Sequence, residues 1–147
     1  FEQDSTVLIE AYIDGIELTG GVIGNDQLEA FPIIEIIPSE SFDFFDYEAK
    51  YTAGATNEIC PARIDDVMTI KAQEIAKTAH KALFCKGYSR TDVILKDQDM
   101  YVLETNTIPG MTATSLLPLA AGKAGIPFSQ LLDRLIELSI EGHKVNR

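Results

Sequence analysis

Four polar side chains in the stretch RTDVILKDQDMYVLETN, residues 90–106, have the types and spacing for metal-assisted chemistry. The stretch reads as two short strands around a polar turn. With Gln98 at the turn's centre, Asp92 lies opposite Glu104, and Arg90 lies opposite Asn106. Side chains alternate along a strand, so all four share one face. Two carboxylates then oppose each other across the ladder, where like charges are destabilising. A divalent cation between them would remove that repulsion. The donor set of two carboxylates and one amide is all oxygen, which suits Mg2+ or Mn2+ and not zinc. Arg90 would offer a phosphate or an oxyanion a rigid cationic fork. From this stretch alone a plainer reading stays open, a solvated hairpin carrying scattered charges.

The elements that must position this hairpin follow from the rest of the chain. TVLIEAYI, Thr6 to Ile13, is rich in β-formers and ends at the turn signal Asp14-Gly15. IELTGGVIG, Ile16 to Gly24, reads as its partner strand, and a third strand around Ile33 to Ile37 closes at Pro38, giving an antiparallel meander. The glycine pair in LTGG predicts a locally loose strand. Ser39 to Arg63 is long, acidic and aromatic without a period, the composition expected of a flap that orders over a ligand. Met68, Ala72, Ile75, Ala76, Ala79 and Leu83 recur at helical spacing and predict a helix from Asp65 to Lys86, ended by Gly87. After the hairpin come a loop, a short helix through SLLPLAAGKAG despite Pro118, and a helix over Phe128 to Ile140. That last helix has Phe128, Leu131, Leu132, Leu135 and Leu138 on one face.

Bulk composition narrows the classes. The chain has 147 residues, enough for one domain with its own core. Twelve basic against 23 acidic residues give a net charge of −11, which argues against broad binding to nucleic-acid backbones but leaves room for one nucleotide. Cys60 and Cys85 form neither a disulfide framework nor a CxxC metal pair, and are read as free thiols in a reducing compartment. No apolar run approaches the roughly 20 residues of a membrane helix. The chain opens on Phe1 without a signal peptide, so the expectation is a fragment or a processed chain.

The stretch RTDVIL…YVLETNTIPGMTATSLLP closely resembles the C-terminal signature of D-alanine–D-alanine ligases, members of the ATP-grasp superfamily. FFDYEAKYTAGATNEICPA resembles the omega loop of that family, and VLIEAYIDGIELT its hinge strand and the strand that follows. These motifs stand in the family's order along nearly the whole chain.

The resemblance implies an α+β fold over residues 1–147, the C-terminal ATP-grasp domain, mainly antiparallel sheet packed by helices, with the omega loop at about 39–63. It implies that ATP phosphorylates one D-alanine and that the amine of a second attacks the acylphosphate. The dipeptide would enter peptidoglycan precursors in the cytoplasm, and the full-length enzyme would be a homodimer with no nucleic-acid or membrane partner.

Carried over by motif, Asp92, Glu104 and Asn106 match metal ligands, now for two Mg2+ or Mn2+ ions, where the hairpin alone suggested one. Arg90 matches the arginine that stabilises the transferring phosphoryl group, and the Gly110 N–H matches an oxyanion donor. Ser115 and the Leu116 backbone match the groups that hold the second D-alanine, although Ser115 alone reads as a simple helix N-cap. Glu10 with Ala11, Tyr12 and Ile13 matches the adenine-reading hinge, and Glu17 the ribose-binding acid. By type alone Glu10 and Glu17 are solvent-facing strand residues. Lys50 and Tyr51 match the omega-loop pair, the lysine for phosphate and the tyrosine for docking the closed loop. Phe31 and Met100 pack near the adenine or belong to the core. EAKY, Glu48 to Tyr51, looks like the dipeptide-forming type, which favours D-alanine over D-lactate as second substrate. A non-catalytic nucleotide-binding module is the alternative from another class. Family members carry further domains ahead of the region matching Phe1, so the 147-residue chain alone is expected to be inactive.

Overall fold

The computed structural model describes residues 6–38 and 56–145. Six strands form one antiparallel sheet: β1 (Ile16–Gly24), β2 (Glu29–Ala30), β3 (Ile34–Pro38), β4 (Thr56–Ile59), β5 (Gly87–Lys96) and β6 (Asp99–Asn106). Their order is β4-β3-β1-β5-β6, with β2 also paired to β1. Among the described residues three helices cover it: α1 (Asp66–Ala82), α2 (Leu116–Lys123) and α3 (Phe128–Val145). This is the α+β, antiparallel architecture expected.

The central strand β1 separates two cores. A Cβ added to Gly20 would stand 3.1 Å from the Ala76 Cβ of α1, and one added to Gly21 would stand 2.5 Å from Leu117 Cδ1 of α2. Successive residues of a strand point to opposite faces, so α1 and α2 lie on opposite sides of the sheet. Leu18, Ile33, Ala72, Val93 and Leu95 form the core under α1. Ile23, Phe31, Ile34, Ile36, Leu117, Ala120, Ala121 and Leu131 form the core under α2 and α3. The glycine pair therefore does not loosen β1. The strand stays in register with β5 from Ile16↔Leu95 to Gly24↔Gly87, and each glycine lets a helix approach closely.

The segment Thr6 to Ile13 is not a strand. β3 and β5 already occupy the two edges of β1, so the predicted pairing has no free ladder to join. Its apolar side chains face outward, Leu8 at 81% and Ile9 at 89% exposure.

α1 begins as expected: the Asp65 carboxylate caps it by accepting from the Met68 N–H at 2.8 Å. It ends at Ala82, four residues before the predicted Lys86, because Phe84 takes a left-handed φ of 55°. Gly87, at φ 77°, opens β5 rather than closing the helix. Leu83 accordingly lies exposed, and His80, not part of the predicted apolar face, is buried instead.

The predicted flap contains a strand at its end, since β4 pairs with β3 through Ile36↔Glu58 and Pro38↔Thr56. Residues 39–55, with Lys50 and Tyr51, lie outside the described residues. Pro118 falls in the first turn of α2, where its missing N–H would have no partner within the helix. α3 runs to Val145, beyond the expected Ile140, and buries Leu131 completely.

Candidate active site

The site grows from the pairing of β5 with β6. At the turn end, Lys96 pairs with Asp99 across a two-residue turn, Asp97-Gln98, in which Asp97 takes φ 56°. The ladder keeps this register as far as Val93↔Val102. Continued unchanged, it would set Asp92 opposite Leu103 and turn Glu104 toward the α1 face. A bulge intervenes: the register shifts between Val93 and Asp92, and Leu103 is left as an extra residue. Beyond it Asp92 pairs with Glu104, Thr91 with Thr105, and Arg90 with Asn106. The Thr91 and Thr105 hydroxyls, facing α1, meet at 3.0 Å. The sequence reading placed the turn half a residue too far along, yet reached the same pairs, because the bulge makes up the difference.

Asp92 and Arg90 are buried, on the sheet face turned away from α1. Arg90 Nε donates to Asp92 Oδ1 at 3.1 Å and Nη2 to Oδ2 at 3.0 Å. On the other side of β5, Thr19 of β1 is the Cα partner of Asp92, and its hydroxyl donates to Oδ1. Glu104 is exposed on the edge strand. Asn106 is half-buried, and its Oδ1 accepts from the Ile108 N–H at 3.1 Å.

The residues present fit a hard divalent cation. Two opposed carboxylates and an amide oxygen stand along one face of the hairpin, one carboxylate buried and one open to solvent. Asp92, Glu104 and Asn106 offer oxygen donors alone, without the histidine or cysteine that a softer metal prefers.

Downstream of β6, Gly110 and Ser115 come together. A Cβ on Gly110 would lie 2.9 Å from Ser115 Oγ. Ser115 sits at the N-cap of α2, but its hydroxyl makes no capping bond to the helix. It accepts instead from the Thr112 N–H at 3.0 Å and pairs with Thr112 Oγ1 at 2.8 Å. The position is that of a cap, and the first N–H groups of α2, beginning at Leu116, stand at a helix end of the kind that favours anions.

The remaining predicted residues are spread more widely. Glu17 is half-buried on β1, on the face of Thr19 and two residues from it. Glu10, Ala11 and Tyr12 are exposed and Ile13 half-buried, in the segment ahead of β1 and outside the ladders. Phe31 is fully buried in the core under α2, and Met100 packs against the core under α1.

Two groups escaped the sequence reading. Thr19 reaches Asp92 across 73 residues of sequence, a contact that only the β1–β5 pairing reveals. Glu58 of β4 shares the face of Ile36 and Glu17. Desolvation pushes its carboxyl above the ordinary range, and the charge of Arg90 opposes that rise. It lay hidden because β4 had been read as part of the flap.

The comparisons with known proteins identify the family. The family model described as D-ala D-ala ligase C-terminus matches residues 1–137. A D-alanine–D-alanine ligase of Syntrophobacter fumaroxidans is 65% identical over 141 residues, covering 96% of this chain and 45% of that protein. A ligase of the same name from Desulfotalea psychrophila is 53% identical, covering 94% and 43%. Among solved structures, the Bacillus anthracis D-alanine–D-alanine ligase complexed with ATP superposes with a TM-score of 0.77 at 34% identity, covering 92% of this chain and 42% of that one. A D-Ala:D-Ser ligase from Enterococcus faecalis superposes with a TM-score of 0.72 at 40% identity, covering 86% and 37%. The chain thus spans less than half the length of these relatives, and over that span it belongs to the family of D-alanine–D-alanine ligase C-terminal domains.

Proposed function

We propose that this chain is the C-terminal ATP-grasp part of a longer cytoplasmic enzyme that joins two D-alanines, at the expense of ATP, for peptidoglycan precursors. The observation that carries the reading is the register of the hairpin, which sets Asp92 against Glu104 and Arg90 against Asn106 on one face. Asp92, Glu104 and Asn106 would hold one or two Mg2+ or Mn2+ ions. Such ions would supply positive charge that offsets the charge developing as a phosphoryl group moves.

The chain's own groups supply positioning and electrostatics. Arg90 has a planar fork that now spans a carboxylate, and the same fork fits two oxygens of a phosphoryl group. A phosphate engaging this fork would free Asp92 oxygens to serve as cation ligands. The Gly110 N–H would serve the oxyanion of the tetrahedral intermediate, and the missing side chain keeps that approach open. Ser115 with the N-terminus of α2 would hold the carboxylate of the second D-alanine, Glu17 the ribose, and Glu10 to Ile13 the adenine.

The test is a phosphate-release assay on the full-length protein with ATP, Mg2+ and D-alanine, with the dipeptide identified by mass spectrometry. Absence of D-alanine-dependent release would overturn the assignment. D-serine is the competing second substrate, motivated by the likeness to the Enterococcus D-Ala:D-Ser ligase. The same assay with D-alanine plus D-serine or D-lactate decides among mixed products.

A further inference from the structure

Thr19 is the only hydroxyl on β1, and it is 2% exposed in the middle of the sheet. Its neighbours along the strand are apolar or glycine. A buried hydroxyl is costly unless it is hydrogen-bonded, and this one donates to Oδ1 of Asp92. Valine would fill the same space and suit a strand better, so shape alone gives no reason for threonine. The reason lies in Asp92, where two of its contacts differ in kind. Arg90 grips both oxygens, whereas Thr19 grips Oδ1 from a strand that is paired on both sides.

The two holders also differ in permanence. Under the function proposed above, on which this inference rests, Arg90 must turn to a phosphate. Aspartate χ2 is a broad torsion, so losing the Arg90 contact would loosen the carboxylate's orientation. A donor fixed in the sheet keeps its orientation throughout. We propose that Thr19 is a positioning residue for the divalent-cation site: its hydroxyl pins Oδ1 of Asp92, so that Oδ2 keeps its direction after Arg90 lets go. Partners of this kind, one bond behind a ligand, typically change metal affinity by about 10- to 100-fold when removed.

The experiment uses the full-length protein and compares wild type with Thr19→Val, Thr19→Ala and Thr19→Ser. Mn2+ binding is read by electron paramagnetic resonance in the presence of a non-hydrolysable ATP analogue, with thermal melts as the fold control. Val and Ala, which lack the donor, are expected to weaken Mn2+ binding about 10-fold, while Ser stays close to wild type. The Mg2+ concentration giving half-maximal turnover should rise in the same two variants. Wild-type Mn2+ affinity in a folded Val or Ala variant overturns the inference. So does a loss in Ser equal to that in Val, because the methyl group would then be the part that matters. Unfolding of both Val and Ala also overturns it, by assigning the hydroxyl to the fold. If wild type binds no Mn2+, the proposed function and this inference fall together. If it binds Mn2+ and the Val loss appears without D-alanine turnover, only the substrate assignment falls.

Discussion

Arg90 holds both oxygens of Asp92 in a two-pronged ion pair, with the side chains 10% and 9% exposed. Opposite Asp92 on the next strand stands a second carboxylate, Glu104. Removing the guanidinium would leave a buried charge facing a like one. Breaking a buried pair costs about 3–5 kcal/mol, and the Thr19 hydrogen bond that remains puts the expected loss at the lower end. Arg90→Met should therefore lower the denaturation midpoint of the metal-free protein. Mg2+ with an ATP analogue should restore part of the loss, since a ligand that binds the native state stabilises it. Chemical denaturation with and without Mg2+ checks both.

Glu104→Gln should separate stability from activity. The swap keeps the shape and removes the like-charge opposition, so the metal-free fold is expected to hold or gain by about 0.2–1 kcal/mol. Under the proposed function, Mg2+-dependent turnover of the full-length protein should be abolished, because a proposed cation ligand would have lost its charge. Near-wild-type turnover at ordinary Mg2+ would refute the ligand assignment.

Gly110→Ala should act through Ser115. The new methyl would stand 2.9 Å from Ser115 Oγ and push the hydroxyl off Thr112. The expected result is a KM for the second D-alanine raised roughly tenfold, equivalent to about 1.4 kcal/mol. Adding Ser115→Ala to Gly110→Ala should bring little further loss, because both changes disable one group. Full additivity in that double-mutant cycle would mean the two residues act separately.

His80 predicts a pH dependence. It is buried beneath β5 with Nδ1 2.8 Å from Ser89 Oγ, and Nε2 has no hydrogen-bond partner among the described residues. Burial, and next the charge of Lys86, pull its imidazole below the usual 6.5, against opposing backbone contacts from Cys85 and Gly24. The unfolded chain therefore binds this proton more readily than the folded one. Its contribution to stability is present above about pH 6.5 and is lost as pH falls through the lower folded value. Denaturation midpoints should drop from pH 7 to pH 5.5, and His80→Gln should flatten that segment. Further down, Glu35 contributes in the same direction: the Arg63 hydrogen bond holds its carboxyl below 4.5, so its contribution fades only in stronger acid.

The hairpin was legible in the sequence because alternation and a short polar turn are local properties. Asp65 announced the start of α1 for the same reason. The end of α1 was not legible: Leu83 continues the apolar period, and Phe84 gives no glycine signal for the left-handed turn it takes. Thr6 to Ile13 has strand composition, but composition does not say whether a neighbouring edge is vacant, and β1 has none to offer. Thr19 and Glu58 reach the site only through strand pairings distant in sequence, so no local pattern marks them.

The bulge at Leu103 divides the hairpin into two phases. On the turn side, odd-numbered residues of one strand meet even-numbered residues of the other, as in Val93↔Val102 and Leu95↔Met100. On the site side, even meets even, as in Asp92↔Glu104 and Arg90↔Asn106. The extra residue works as a take-up joint between them. Deleting Leu103 would bring the whole ladder into one phase and still leave Asp92 facing Glu104. The packing of Val93 and Leu95 on α1 is thereby decoupled from the aim of the acidic pair, and the strand can change length by one residue without turning that pair away.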